Sequence, residues 1–181
     1  MAARLFVETS YAGASLQQIA DAAGYSKSSV LYHFASKEAL LEAVLAPAVQ
    51  KFGALLENSI DRIAADDQRQ AFVEEFIDYL LEYRLEAHII INQGQSLAGI
   101  PIIEVSRRHI SRLSDALTSE LPSTAQRIRL GVALAGAAYV LATSASERDA
   151  IALDPIDEVR EALIEVVSEL LVPLTSDLST D

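Results

Sequence analysis

Apolar residues recur at three- and four-residue intervals along almost the whole chain, and no segment alternates apolar with polar residues between hairpin signals. That period is helical, so the fold class is all-α, with about nine helices. Helix 1 begins near Met1 and ends before Gly13, turning Ala2, Leu5 and Phe6 inward. Ser15 caps helix 2, and Gln18 three residues on completes a capping-box pattern. Gly24 ends that helix, as a residue able to turn left-handed does. Ser26 caps helix 3, which runs to about Phe34, and Ser36 caps helix 4, whose first turn carries Glu38 against the helix dipole. Helix 4 gathers Leu40, Leu41, Val44, Leu45, Ala48, Phe52 and Leu55 on one broad face. Pro47 falls inside it, where a missing N–H and a ring clash predict a kink. Asp66 or Asp67 opens helix 5, helix 6 spans roughly Leu85 to Gln95, and helix 7 runs from about Pro101 to Glu120, where Pro122 stops it. Ser123 starts helix 8, which ends near Ser146. Asp154 caps helix 9, with Pro155 at its first position, and the helix reaches about Leu171. Thr175 onward reads as a frayed polar tail.

The segment from Ser15 to Lys37 places two short helices about a tight turn at Gly24, with small Ala20 at the crossing and Ile19, Ala23 and Val30 as packing residues. This is the pattern of a helix-turn-helix, whose second helix enters the DNA major groove. An ordinary helical hairpin satisfies the same generic pattern.

The wider segment distinguishes them. A-A-R-L-F-V-E-T-S-Y followed by S-L-Q-Q-I-A-D-A-A-G-Y-S-K-S-S-V-L-Y-H-F-A-S-K-E-A-L-L resembles the DNA-binding domain of the TetR family of transcriptional regulators over roughly residues 2 to 45. The resemblance implies a helix-turn-helix DNA-binding domain over residues 1–45 and an effector-binding and dimerisation domain over 46–181. It also implies roles. Ser15 and the Leu16 backbone would face phosphate at a helix N-terminus, with Gln17 pointing toward the groove. Lys27, Ser28 and Ser29 would open the recognition helix as candidates for base edges or phosphate. Tyr32 would end it near bases or backbone and His33 near phosphate, and Lys37 would meet a phosphate. Two features depart from the family. Leu31 stands where an aromatic residue is usual; it could touch a thymine methyl, and packing inward is the favoured reading. The basic arm that often precedes helix 1 is lacking, or lies upstream of Met1.

Beyond residue 46, Tyr79, Tyr83, His88, Asn92, Gln95 and His109 set sparse polar groups among apolar residues of helices 5 to 7, the character of a small-molecule pocket. Helix 8 is apolar around most of its circumference and rich in Gly and Ala, so it must be covered on two sides. Packing of helices 8 and 9 on their symmetry mates, near Ala135, Tyr139, Val166 and Leu170, accounts for this, as would a fully internal core helix.

Composition narrows the remaining classes. The 181 residues are 51% hydrophobic and 22% charged, ample for a packed core. The absence of cysteine excludes disulfide scaffolds, zinc-thiolate sites and thiol nucleophiles. Of the net charge of −12, residues 1 to 46 hold three bases and four acids, so almost all the excess lies on the body rather than the DNA-reading head. Arg4 and Glu8 interrupt any signal-peptide core, and the chain is expected to be cytoplasmic with no membrane partner. No Glu-x-x-His pair, P-loop, dinucleotide glycine pattern or nucleophile elbow is present, so neither an enzyme nor a metal site nor a cofactor is expected. The expected protein is a homodimeric regulator, a repressor that a small apolar effector releases from a pseudo-palindromic operator in double-stranded DNA. The alternative is a helical protein-binding adaptor, which has no use for the Ser26-to-Lys37 constellation.

Overall fold

The computed structural model describes residues 1–59, 66–121, 123–143 and 156–171, and among them every regular element is a helix. In chain order these are α1 (Ala2–Gly13), α2 (Leu16–Ala23), α3 (Lys27–His33), α4 (Lys37–Ser59), α5 (Asp66–Glu82), α6 (Arg84–Gln93), α7 (Pro101–Glu120), α8 (Thr124–Thr143) and α9 (Ile156–Leu171). The expected stop at Pro122, the end near Ser146, the Asp154–Pro155 cap and the tail from Thr175 lie outside the described residues.

The termini form where the sequence supplies caps. Ser15 Oγ accepts from the Gln18 N–H while Gln18 Oε1 accepts from the Ser15 N–H, and Ser123 and Gln126 repeat this reciprocal pair at the start of α8. Ser26 and Ser36 accept from the N–H groups of Ser29 and Ala39. Gly24 ends α2 at φ 74°, a left-handed conformation that costs glycine little.

Two elements carry an irregular position. α4 runs as one helix through Pro47. Pro47 and Ala43, whose carbonyl loses its partner, are both exposed, so water can satisfy the orphaned acceptor. Helix α1, by contrast, is interrupted at Ser10, which sits at φ 63°, ψ 163°. That conformation costs a non-glycine residue ~1–3 kcal/mol. Ser10 serves as the cap of the single turn that follows, since its Oγ accepts from the Gly13 N–H and its carbonyl from the Ala14 N–H.

Packing divides the molecule into two cores that share α4 and meet at α6. One joins Phe6, Ile19, Ala20, Val30, Leu41 and Leu45 with Ile89, Leu97 and Ile103, so the head is closed by residues of α6, α7 and the turn between them. The other joins Phe52, Leu56, Phe72 and Ile77 with Leu130, Leu134 and Leu141 of α8 and Val159 and Val167 of α9. Within α4 the change of core falls between Val49 and Phe52. The Lys37–Asn58 stretch of α4 is long and apolar enough to cross a bilayer, yet half of it is buried inside the protein, as for a core helix of a globular protein.

Candidate nucleic-acid interface and effector cavity

The recognition unit presents an outer face that the rest of the described chain leaves uncovered. Val30 alone of α3 is buried. Tyr32 is 86% exposed and Tyr25, at the turn, 66%. Lys27 and Ser28 are exposed, with no side-chain hydrogen bond or ion pair among the described residues. Leu31, expected to pack inward, is instead 40% exposed on this face, because Val30 already fills the contact that a seven-residue helix makes with α2. Tyr25 is not marked by the sequence as part of the face, since aromatic character reads as core.

Other hydroxyls and amides of the face are partly committed. Ser29 Oγ lies 2.9 Å from Ser26 Oγ, inside the cap of α3. Ser15 Oγ accepts within the capping box, which leaves its proton free to donate. Gln17 Nε2 donates to Asp21 Oδ1 at 2.7 Å, so its Oε1 and its second Nε2 proton are what it can offer outward. His33 packs edge-on against Tyr32.

Lys37 is placed differently from a free phosphate ligand. Its Nζ donates to the carbonyls of Tyr11 at 2.8 Å and Ala14 at 2.9 Å, and lies 4.4 Å from the centroid of the Tyr11 ring. The ammonium thus closes the C-terminal end of α1 against the start of α4, with one N–H left over. Burial, and secondarily the charge of Glu38, hold the Tyr11 phenol above its ordinary pKa.

Behind the head lies a cavity of about 840 Å³ between α4, α5, α6, α7 and α8. Its walls are almost entirely hydrocarbon: Phe52, Phe76, Leu80, Ile90, Leu113 and Leu134 are representative. Small residues on α8, Gly131, Ala135 and Gly136, leave the space open. Val132 and Tyr139 line it too, yet each is 59% exposed, so the cavity opens along the outer side of α8. Ser106, though on the wall, donates its hydroxyl to Ile102 of its own helix.

Of the six polar residues expected to line such a pocket, Tyr79 does so. Its ring stacks on Phe52 at 5.3 Å, and burial, with Glu86 and Tyr83 adding to it, raises its phenol far above the ordinary range. The other five stand elsewhere. Tyr83 joins α5 to α6 and packs on Tyr79. His88 is buried in the core, its Nδ1 2.8 Å from the Ala142 carbonyl. A carbonyl can only accept, so Nδ1 carries the proton and His88 ties α6 to the end of α8. Asn92 sits beside that same nitrogen at 3.2 Å, and Gln95 is exposed in the turn after α6. His109 lies behind the wall, edge-on to Phe52, in a seat that exists because Gly53 has no side chain: a Cβ there would stand 2.7 Å from the imidazole Cε1. Its Nδ1 is buried without a hydrogen-bond partner among the described residues, and burial, helped by Arg112, lowers its pKa. Sequence reasoning could not separate these positions, because a histidine on an apolar helix face looks the same whether it meets a cavity or a carbonyl.

The dimer candidates Ala135, Tyr139, Val166 and Leu170 are all exposed, and Ile128 and Val132 extend the same apolar stripe along α8. Among the described residues no group of His, Asp and Glu could hold a metal ion.

Residues 1–44 match the family profile described as bacterial regulatory proteins, tetR family. The chain thus carries an N-terminal domain of the tetR family of bacterial regulatory proteins. That domain is a DNA-binding one, in keeping with the exposed helix-turn-helix face described above. The fold of the remainder agrees: the chain is similar to the TetR family transcriptional regulator PfmR from Thermus thermophilus, with a TM-score of 0.63 and 22% identity over 92% of this chain and 93% of that one. No curated protein sequence matches it. In this TetR family domain the matched residues include every recognition-unit position described above.

Proposed function

We propose that this chain is a TetR family regulator, a homodimeric, cytoplasmic repressor that a small apolar effector releases from a pseudo-palindromic operator. The observation that carries this reading is one helix, α6, standing between an uncovered recognition unit and an apolar cavity open to solvent. A wall that moves when the cavity fills biases the head it supports. The hydrocarbon lining selects a neutral, lipophilic molecule, since a charge would be desolvated there without a partner.

At the DNA, Lys27 and the spare donors of Ser15 and Lys37 serve phosphate, and Ser28, Ser29, Tyr32 and His33 reach bases or the adjoining backbone. Gln17, offering an acceptor and one remaining proton, suits adenine, which presents its amino group beside N7. Two heads related by a two-fold axis through α8 and α9, near Ala135, Tyr139, Val166 and Leu170, would meet successive major grooves about 34–36 Å apart or at a related spacing.

Selection of bound duplexes from a random-sequence pool tests this reading. It should return inverted half-sites, and Gln17→Ala or Ser28→Ala should cost ~1–3 kcal/mol on the selected sequence and far less on random DNA. A pool that emerges without sequence preference removes the operator reading. Neutral hydrophobic compounds screened against the selected complex should then include some that release it.

A further inference from the structure

We propose that Gln93 is a positioning residue for DNA binding: its side-chain amide reaches from α6 to latch the break in α1 and hold the recognition unit at its working angle to the body. The regular hydrogen-bond ladder of α1 ends with Thr9, so carbonyls of that last turn and the first N–H beyond the break need partners from outside the helix. Gln93 provides one of each. Its Nε2 donates to the Phe6 carbonyl at 2.8 Å, and its Oε1 accepts from the Tyr11 N–H at 2.7 Å. Both bonds span more than eighty residues of sequence and straddle Ser10.

The chemistry of the side chain fits the task. An amide carries a donor and an acceptor on one planar group, whereas a carboxylate only accepts and an ammonium only donates. A serine held at φ 63°, ψ 163° persists where its surroundings over-determine it, and a two-point latch across the break does that.

The latch also has somewhere to transmit a displacement. On one side, the turn beyond Ser10 leads directly into α2, and its Tyr11 and Ala14 carbonyls hold the Lys37 ammonium at the start of α4. On the other side, α6 supplies Ala87, Ile90 and Ile91 to the cavity wall and is pinned to α8 through His88. The inference rests on the DNA-binding role of the head and is independent of effector release.

The test uses the full-length chain and a duplex selected from random sequence by the unmodified protein. Gln93→Leu removes both bonds and keeps the bulk. Exchange of the Tyr11 amide with solvent should accelerate at least about tenfold, because a bonded amide becomes a free one. Affinity for the duplex should fall about tenfold with an unchanged salt dependence, since no phosphate contact is lost. Gln93→Glu keeps the acceptor and loses the donor at neutral pH. Its deficit relative to the unmodified protein should narrow as pH falls toward the carboxyl range, where protonation restores a donor. Binding by Gln93→Leu within about twofold of the unmodified protein overturns the proposal. So does a Gln93→Glu deficit that is the same at every pH, and that profile decides alone if the leucine variant does not fold. Tyr11 exchange reads the latch even if no duplex is selected, so failure of the latch and failure of the DNA reading give different results.

Discussion

Two of the three Lys37 ammonium protons are bound to backbone carbonyls of the segment that joins α1 to α2. A lysine expected from its family position to meet phosphate is therefore also a brace. Charge-assisted bonds at a half-buried site are worth ~1–3 kcal/mol in aggregate. Lys37→Ala should lower the melting temperature and weaken all DNA sequences alike. Its plot of log K against log salt should flatten by less than the roughly one unit that a purely phosphate-bound lysine contributes. Thermal melts and salt titrations on the same variant separate the two roles. His109 makes a prediction of a different kind. Its folded pKa lies below the ordinary 6.5 because burial penalises the cation. Between that lowered value and 6.5 the unfolded chain binds more protons, so stability is complete above about 6.5 and declines as pH falls through the folded pKa. Denaturant titrations across that window should show the decline in the unmodified protein and a flatter profile in His109→Gln.

Helices were legible wherever their ends are written in local chemistry. The Ser15–Gln18 box, the Gly24 stop and the Ser26 and Ser36 caps are contacts between residues three to five apart, and a pattern of that range can be read from one segment. The break in α1 was not legible. Its local part is an ordinary Thr-Ser-Tyr, and what sustains it arrives from Gln93, more than eighty residues away. The apolar cavity was legible as a region and not as a list of residues. A hole is made where side chains are small, and Gly131, Ala135 and Gly136 carried no polar signal to mark them. At Pro47 the local rule predicts a kink, and exposure of Pro47 and Ala43 lets the helix continue past it. Pro47→Ala would restore one N–H and its bond to Ala43. It should stabilise α4 by about 1–2 kcal/mol, seen as a higher melting temperature, with DNA affinity unchanged if the proline has no part in setting the head's angle.

For the molecule as a whole, the shared cores matter most. The head is closed by Ile89, Leu97 and Ile103, so a fragment ending at residue 45 would expose the apolar face they cover. Such a fragment should fold poorly and bind its selected duplex far more weakly than the full chain, a comparison that circular dichroism and gel shift can make. Assembly is testable apart from the cavity, because Ile128 and Val166 stand on the exposed stripe without lining the pocket. Ile128→Glu would bury an unpaired charge at a two-fold contact, and sedimentation should report monomers for the variant and dimers for the unmodified chain. A monomeric unmodified protein would falsify the two-fold arrangement.

The double duty of Val132, Ala135 and Tyr139, on the cavity wall and on the outer stripe of α8, has a kinetic side. A partner seated on that stripe stands across the way out. The residence time of a bound molecule would then be governed by how often the two subunits part rather than by its own grip on the hydrocarbon walls. Diluting the complex should shorten that residence time, as should Ile128→Glu, which never touches the ligand. For a repressor of the proposed kind, the lag before repression resumes would follow the number of copies of the protein as much as the clearance of the signal.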